Sequence, residues 1–312
     1  MRNAFATQLL DIARADSSIL LITGDLGYGV LDRFQQELPE QFINAGVAEQ
    51  TMMSMAAGLA ASGYRPFVYS IANFPTFRCL EQIRNDVCYM DNPVTIVSVG
   101  AGLVYGVHGY SHHAVEDLAI IRSLPNITIY SPCDSVETKY SVNKILESKH
   151  PAYLRLGKGG EPLIHVGSHP EIEGINILNS DGEDGLICWT GSIGSRVLEA
   201  ADLLKQRGFR PKLVSIPILD SQSIEKMLLL GHKQIILTVE EHSATGGFGS
   251  IVLEVASEKD FKGRVTRLGI PQSMNEEMGS HEYLLEKSGL SAISISAKFE
   301  AEFLRHQNST KD

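Results

Sequence analysis

An alternation constrains this chain more than anything else in it. Short β-rich apolar runs recur between helical patterns through most of its 312 residues. SILLITGD (18–25), PFVYSI (66–71), PVTIVSV (93–99), NITIYSP (126–132) and AYLRL (152–156) read as strands. They are almost continuously apolar, as parallel strands covered on both faces are. Helical periods fill the gaps at Ala4–Ala15, Glu49–Ala61, Phe77–Met90, Val115–Leu124 and Val136–Glu147. This predicts an open, mainly parallel α/β sheet. From Gly157 to Asp184, Gly, Pro and charge replace helical period. A second α/β run then follows, with strands at LICWT (186–190), KLVSI (212–216), QIILTVE (234–240) and RVTRL (264–268). The pattern predicts two α/β domains, 1–160 and 184–312, joined by a linker over 161–183.

Charge and composition exclude several function classes. A net charge of −10 without a Lys/Arg block argues against nucleic acid or an anionic membrane as partner. The opening MRNAFATQLLDIARAD is broken by Arg2, Asp11, Arg14 and Asp16, so it forms no signal-peptide core. The stretch 93–107 carries three glycines and is too short to span a bilayer. Cys79, Cys88, Cys133 and Cys188 show no CxxC pairing and read as free thiols of a cytoplasmic protein.

Chemistry enters at Phe42-Ile-Asn-Ala-Gly-Val-Ala-Glu-Gln50. An extended FINA ends in Gly46, and a small-residue helix opens near Ala48 with Glu49 in its first turn. Taken alone, Glu49 is a dipole-compensating residue. Together, GVAEQ and the helix that ends in Gly63-Tyr64-Arg65-Pro66 closely resemble the pyrimidine-domain motif of the transketolase superfamily. That group spans transketolases, deoxyxylulose-phosphate synthases and the β subunits of 2-oxo acid dehydrogenases. The resemblance implies that Glu49 hydrogen-bonds the aminopyrimidine ring of thiamine diphosphate. That cofactor reacts through a carbanion at its thiazolium carbon, formed when its own imino group removes a proton. A carboxyl sharing a proton at the far ring nitrogen favours the required tautomer.

Two more segments extend the resemblance. In Phe74-Pro-Thr-Phe77-Arg-Cys-Leu80, Phe77 falls on the ring-stacking position and Phe74 on an adjacent aromatic one. Such a neighbour is worth ~0.5–1.5 kcal/mol beyond area burial. Leu80 stands where many transketolases have tyrosine. In Gly106-Val-His108-Gly109-Tyr-Ser-His112-His113, the glycines interrupt any shared helical face, and no metal site is expected. His112 matches a family histidine that contacts substrate oxygens, with Ser111 for the usual threonine. His108 replaces an aspartate that reads a sugar hydroxyl, and His113 replaces a glutamine. The resemblance also places Arg2, Thr23 and Lys158 at phosphate-contacting positions, Lys158 standing for an arginine. A phosphate-contacting histidine falls near Gly100.

One family feature is missing. The Gly-Asp-Gly…Asn segment that holds the diphosphate through a divalent ion is not found: Gly24-Asp25-Leu26-Gly27 and Asp181-Gly182-Glu183-Asp184 each lack a glycine. No phosphate loop or GxGxxG replaces it. With Met1 opening directly on the pyrimidine-type domain, the resemblance implies a separate N-terminal diphosphate-binding subunit. That partner would hold Mg2+ or Ca2+, in an α2β2 assembly in which this chain homodimerises. Glu240-Glu241-His242 and Gly246-Gly247-Phe248-Gly249-Ser250 resemble the family's C-terminal domain, to which no catalytic role is given.

The expected function is transfer of a two-carbon ketol unit from a ketose donor to an aldehyde acceptor. A 2-oxo acid dehydrogenase β-type or deoxyxylulose-phosphate-synthase-like subunit, a non-catalytic α/β scaffold and a nucleotide-binding α/β protein stay open as alternatives.

Overall fold

The computed structural model describes residues 1–165, 174–179, 181–231 and 234–309. Six strands build the first sheet: β1 (Ile19–Thr23), β2 (Phe42–Asn44), β3 (Arg65–Ile71), β4 (Thr95–Val99), β5 (Thr128–Tyr130) and β6 (Ala152–Leu156). All pair in parallel, in the order β2-β1-β3-β4-β6-β5. Every residue of β1, β4 and β6 is buried, which is why their sequences carry no in/out alternation. Five strands build the second sheet: β7 (Asn176–Ile177), β8 (Leu186–Thr190), β9 (Lys212–Ser215), β10 (Ile235–Ser243) and β11 (Arg264–Ile270). Their order is β11-β10-β8-β9-β7, parallel except for β7 against β9.

Two helices depart from expectation. Across the segment expected as one helix at Phe77–Met90, the chain passes through a short turn of helix at Asn73–Thr76. It then changes winding at Phe77–Cys79, at Leu80–Gln82 and in a π-helical stretch at Ile83–Tyr89. The break falls at Cys79, whose backbone leaves the helical region (φ −108°, ψ 14°). The helix expected from Val115 begins only at Asp117. Its first residues are drawn into extended pairing instead: Ala114 bridges to Gly102, and the Val115 carbonyl accepts from the Ser243 amide at 2.7 Å.

Within the expected linker, residues 166–173 and 180 lie outside the described residues. The remainder is bound to both domains. Asp134 caps helix Ser135–Glu147, and its carboxylate also accepts from the Ile164 and His165 amides and from His165 Nδ1 at 2.9–3.0 Å. Asn176, in β7, donates to Glu137 Oε1 at 3.0 Å. Cys133, Glu137 and His165 converge here, but Glu137 is already held by Asn176 and by the Cys133 amide.

Burial alone raises the Asp134 carboxyl, yet the His165 side chain and amide and the Glu137 amide hold it at about 2. The native value lies below the ordinary 3.8, so its stabilisation is complete above that pH and lost as pH falls towards 2. A shift of this size is worth about 2 kcal/mol. Asp134→Ala is therefore expected to lose at least that much in urea unfolding at pH 7, with a smaller deficit at pH 3. An unchanged midpoint at pH 7 would remove this clamp from the stability of the domain junction.

Candidate active site

Parallel strands deliver their loops to one edge, and ligands of open α/β sheets bind outside the carboxyl ends of the strands. Glu49 follows β2, Phe74 to Arg78 follow β3, Tyr105 to His112 follow β4, and Lys158 follows β6. Sequence segments more than a hundred residues apart thus meet at one edge.

Glu49 opens helix Glu49–Ala61 and is 8% exposed. Its Oε1 accepts from Arg78 Nη1 at 3.0 Å. The Arg78 guanidinium also lies over the Phe74 ring, 4.2 Å from its centroid. Phe74, Phe77, Arg78 and Ser111 line a cavity of about 500 Å³ together with Asn73 and Glu116. Arg78 borders both this cavity and the adjoining one lined by Glu49. Glu49 and Phe74 are therefore brought together by a single guanidinium, and Phe77 lines the same cavity as Phe74.

His112 packs edge-on to Phe74, with ring centroids 5.4 Å apart, and lies 5.0 Å from the His108 ring. Its Nδ1 shares a hydrogen bond of 2.9 Å with Ser111 Oγ, which leaves Nε2 for another partner. Burial, then the neighbouring His108, His113 and Arg78, push its imidazole below the ordinary range, so it is neutral near pH 7. His108 Nδ1 donates to the Tyr105 carbonyl at 3.0 Å, and His113 Nε2 donates to the Gly106 carbonyl at 2.9 Å. The three histidines hydrogen-bond to different partners, and among the described residues they form no metal-ligating group.

Arg2, Thr23 and Lys158 divide. Lys158 Nζ lies 5.4 Å from the centroid of the Tyr105 ring. Arg2 acts electrostatically on the same tyrosine, and its buried Nε has no hydrogen-bond partner among the described residues. Thr23 is turned inward, its hydroxyl donating to the Leu26 carbonyl at 2.9 Å. Gly100 has φ +98°, and a Cβ there would lie 2.0 Å from Tyr105 Cε2. The Tyr105 ring thus takes the space a side chain at 100 would need.

Sequence reasoning missed three residues of this site. Arg78 is the one cation in the stretch 72–83, and that isolation was a usable signal. Asn73, 8% exposed, donates from Nδ2 to the Ser111 and His113 carbonyls at 3.0 Å and to that of Tyr110 at 3.4 Å. Tyr105 touches both His108 and His112, with ring centroids 5.9 and 6.1 Å away. Nothing local in the sequence marked Asn73 or Tyr105.

The chain as a whole is similar to known proteins. Residues 1–160 match the model for the transketolase pyrimidine binding domain, and residues 174–295 match that for the transketolase C-terminal domain. One subunit of an apulose-4-phosphate transketolase, from Phocaeicola vulgatus, is 35% identical, over 93% of this chain and 94% of that one. A putative transketolase C-terminal section of Methanocaldococcus jannaschii is 34% identical, over 96% and 94%. The solved structure of a split-gene transketolase, an inactive β4 tetramer, superposes with a TM-score of 0.83 at 33% identity, over 97% of each chain. The chain belongs to the transketolase family of thiamine-diphosphate-dependent transferases and carries its pyrimidine-binding and C-terminal domains.

Proposed function

We propose that this chain is the pyrimidine-binding and donor-reading subunit of a two-subunit transketolase working in the cytoplasm. The observation that carries the reading is Glu49 tied through Arg78 to an aromatic cavity, with His112 packed edge-on against Phe74 of its lining. Those residues fit an aminopyrimidine: an apolar aromatic wall, a nearly buried carboxylate, and a buried Asn73 Oδ1 with no partner among the described residues. Thiamine diphosphate, when bound, supplies the carbanion chemistry that cleaves and rebuilds a carbon–carbon bond beside a ketose carbonyl. Phe74 and Phe77 orient the ring and exclude water from one face. Glu49, held by Arg78 in this structure, would hold a proton at a ring nitrogen when the cofactor is bound. His112, neutral and anchored through Nδ1, offers Nε2 to a substrate oxygen.

The relative from Phocaeicola vulgatus is itself one subunit of its transketolase, which supports a separate partner subunit; that partner is proposed to bind the diphosphate with Mg2+ or Ca2+, in an α2β2 assembly. With Mg2+ and thiamine diphosphate alone, the purified chain is expected to show no turnover with any ketose. Full activity restored by adding the partner, with an α2β2 mass by sedimentation, is the expected outcome; full activity without it sinks the two-subunit reading.

In that complex, Glu49→Gln keeps the side-chain shape but removes the acid. Proton exchange at the thiazolium carbon, followed by NMR, is expected to slow on the order of a hundredfold or more. Unchanged exchange would leave Glu49 as a helix-end residue only.

The donor is proposed to differ from ordinary sugar phosphates. His108 stands where an aspartate would read a hydroxyl, and Tyr105 fills the place above Gly100. Each charge-assisted hydrogen bond lost this way is worth ~1.5–3 kcal/mol. Xylulose 5-phosphate and fructose 6-phosphate are expected to be poor donors beside apulose 4-phosphate or an unphosphorylated ketose. His108→Asp should raise kcat/KM for xylulose 5-phosphate by about tenfold. A wild-type kcat/KM of ~10⁴ M⁻¹s⁻¹ or better with xylulose 5-phosphate would contradict this.

A further inference from the structure

We infer that Glu241, on the C-terminal domain, is a positioning residue for the ketose donor, because it fixes the loop 101–113 that carries Tyr105, His108 and His112. The inference rests on the donor-site reading above and gives the C-terminal domain a part in it. Glu241 lies in β10 and is 2% exposed. Its Oε1 accepts from the Leu103 amide at 2.6 Å, two residues before Tyr105, and from His281 Nε2 at 2.8 Å. Burial works against a charged His281, but Glu241 outweighs it and holds the imidazole above its ordinary value. The loop amide is thus bound by a carboxylate that is itself supported from a second element of the C-terminal domain.

The glycines of the loop give an independent observation. A Cβ at Gly102 would lie 2.5 Å from Glu241 Cγ, and one at Gly106 would lie 2.3 Å from the Gly279 carbonyl oxygen. One at Gly109 would lie 2.8 Å from Met278 Sδ. All three glycines have positive φ, at 66°, 21° and 72°. The loop is therefore moulded against the C-terminal domain at three points. Between and beyond these points, Tyr105, His108 and His112 form the ring cluster beside Phe74. Charge-assisted hydrogen bonds are roughly twice as strong as neutral ones, so Glu241 is a strong polar tie at the start of the loop.

Two measurements test this, and only the second needs the partner subunit. Amide hydrogen exchange on the full chain is expected to quicken at least about tenfold over 101–113 in Glu241→Ala. Exchange over 49–61 should stay unchanged. In the reconstituted complex, Glu241→Ala should raise the KM of the best donor among xylulose 5-phosphate, fructose 6-phosphate and apulose 4-phosphate by about tenfold. Affinity for thiamine diphosphate should stay within about twofold, and Glu241→Gln, which keeps an acceptor for Leu103, should recover most of the loss. Unchanged exchange over 101–113, or a cofactor affinity that falls in step with donor KM, overturns the inference. If Glu241→Ala does not fold, Glu241→Asp, one methylene shorter, is read by the same criteria. A wild-type complex inactive on every ketose overturns the proposed reaction, while the exchange result decides the bracing by itself.

Discussion

A guanidinium shut away from water stays in a fold only where its N–H groups meet acceptors, because an unpaired buried charge is prohibitive. Arg155, 2% exposed at the end of β6, meets the Asp117 carboxylate through Nε at 2.7 Å and Nη2 at 3.2 Å. Its Nη2 also donates to the Ala114 carbonyl at 2.8 Å and to the Glu241 carbonyl at 3.0 Å. Tyr153 completes the set, donating to Asp117 and accepting from the Ser98 hydroxyl. One side chain thereby ties the first sheet to the end of the histidine loop, to the helix behind it and to the second sheet. Removing either charge of such a pair costs about 3–5 kcal/mol. Here it would also loosen the join on which the histidine loop is built.

The tripeptide Glu240-Glu241-His242 shows how burial assigns different work to neighbouring residues. Glu240 accepts from the Phe248 and Gly249 amides at 2.6 and 2.8 Å, capping the helix Phe248–Glu258. Burial raises its carboxyl to about 7 even so. His242 is driven by burial to about 4 and therefore sits neutral between Asp117 and Glu240. Glu241 alone of the three turns towards the loop of the other domain.

Much of the fold was legible because burial on both faces writes an apolar run directly into the sequence. Strands β6 and β8 and the helix Glu49–Ala61 fall on the residues expected for them, and β2 on the extended stretch before Gly46. The short helices around Cys79 were not legible, since the apolar spacing of 77–90 is the same whether the winding is continuous or broken. The clustering of Glu49, Phe74 and His112 was implied by resemblance, and proximity at the strand edge gives it a physical basis. Arg78, Tyr105 and Glu241 were missed. Arg78 and Glu241 act through partners 29 and 138 residues away, where periodicity carries no information, and Tyr105 acts within an irregular loop that has no period to read.

Asn73 closes three backbone carbonyls of the histidine loop onto the segment that carries Phe74 and Arg78. The end of the histidine loop and the segment of Phe74 and Arg78 are, as a result, tied to one another through a single side chain. A change of donor cannot be engineered by exchanging the histidine loop alone, because a foreign loop would arrive with carbonyls set for a different clasp. The transferable cassette is residues 72–78 with 100–113, together with 278–281 from the other domain. Natural changes of sugar preference on this scaffold should therefore travel as coordinated substitutions across all three stretches.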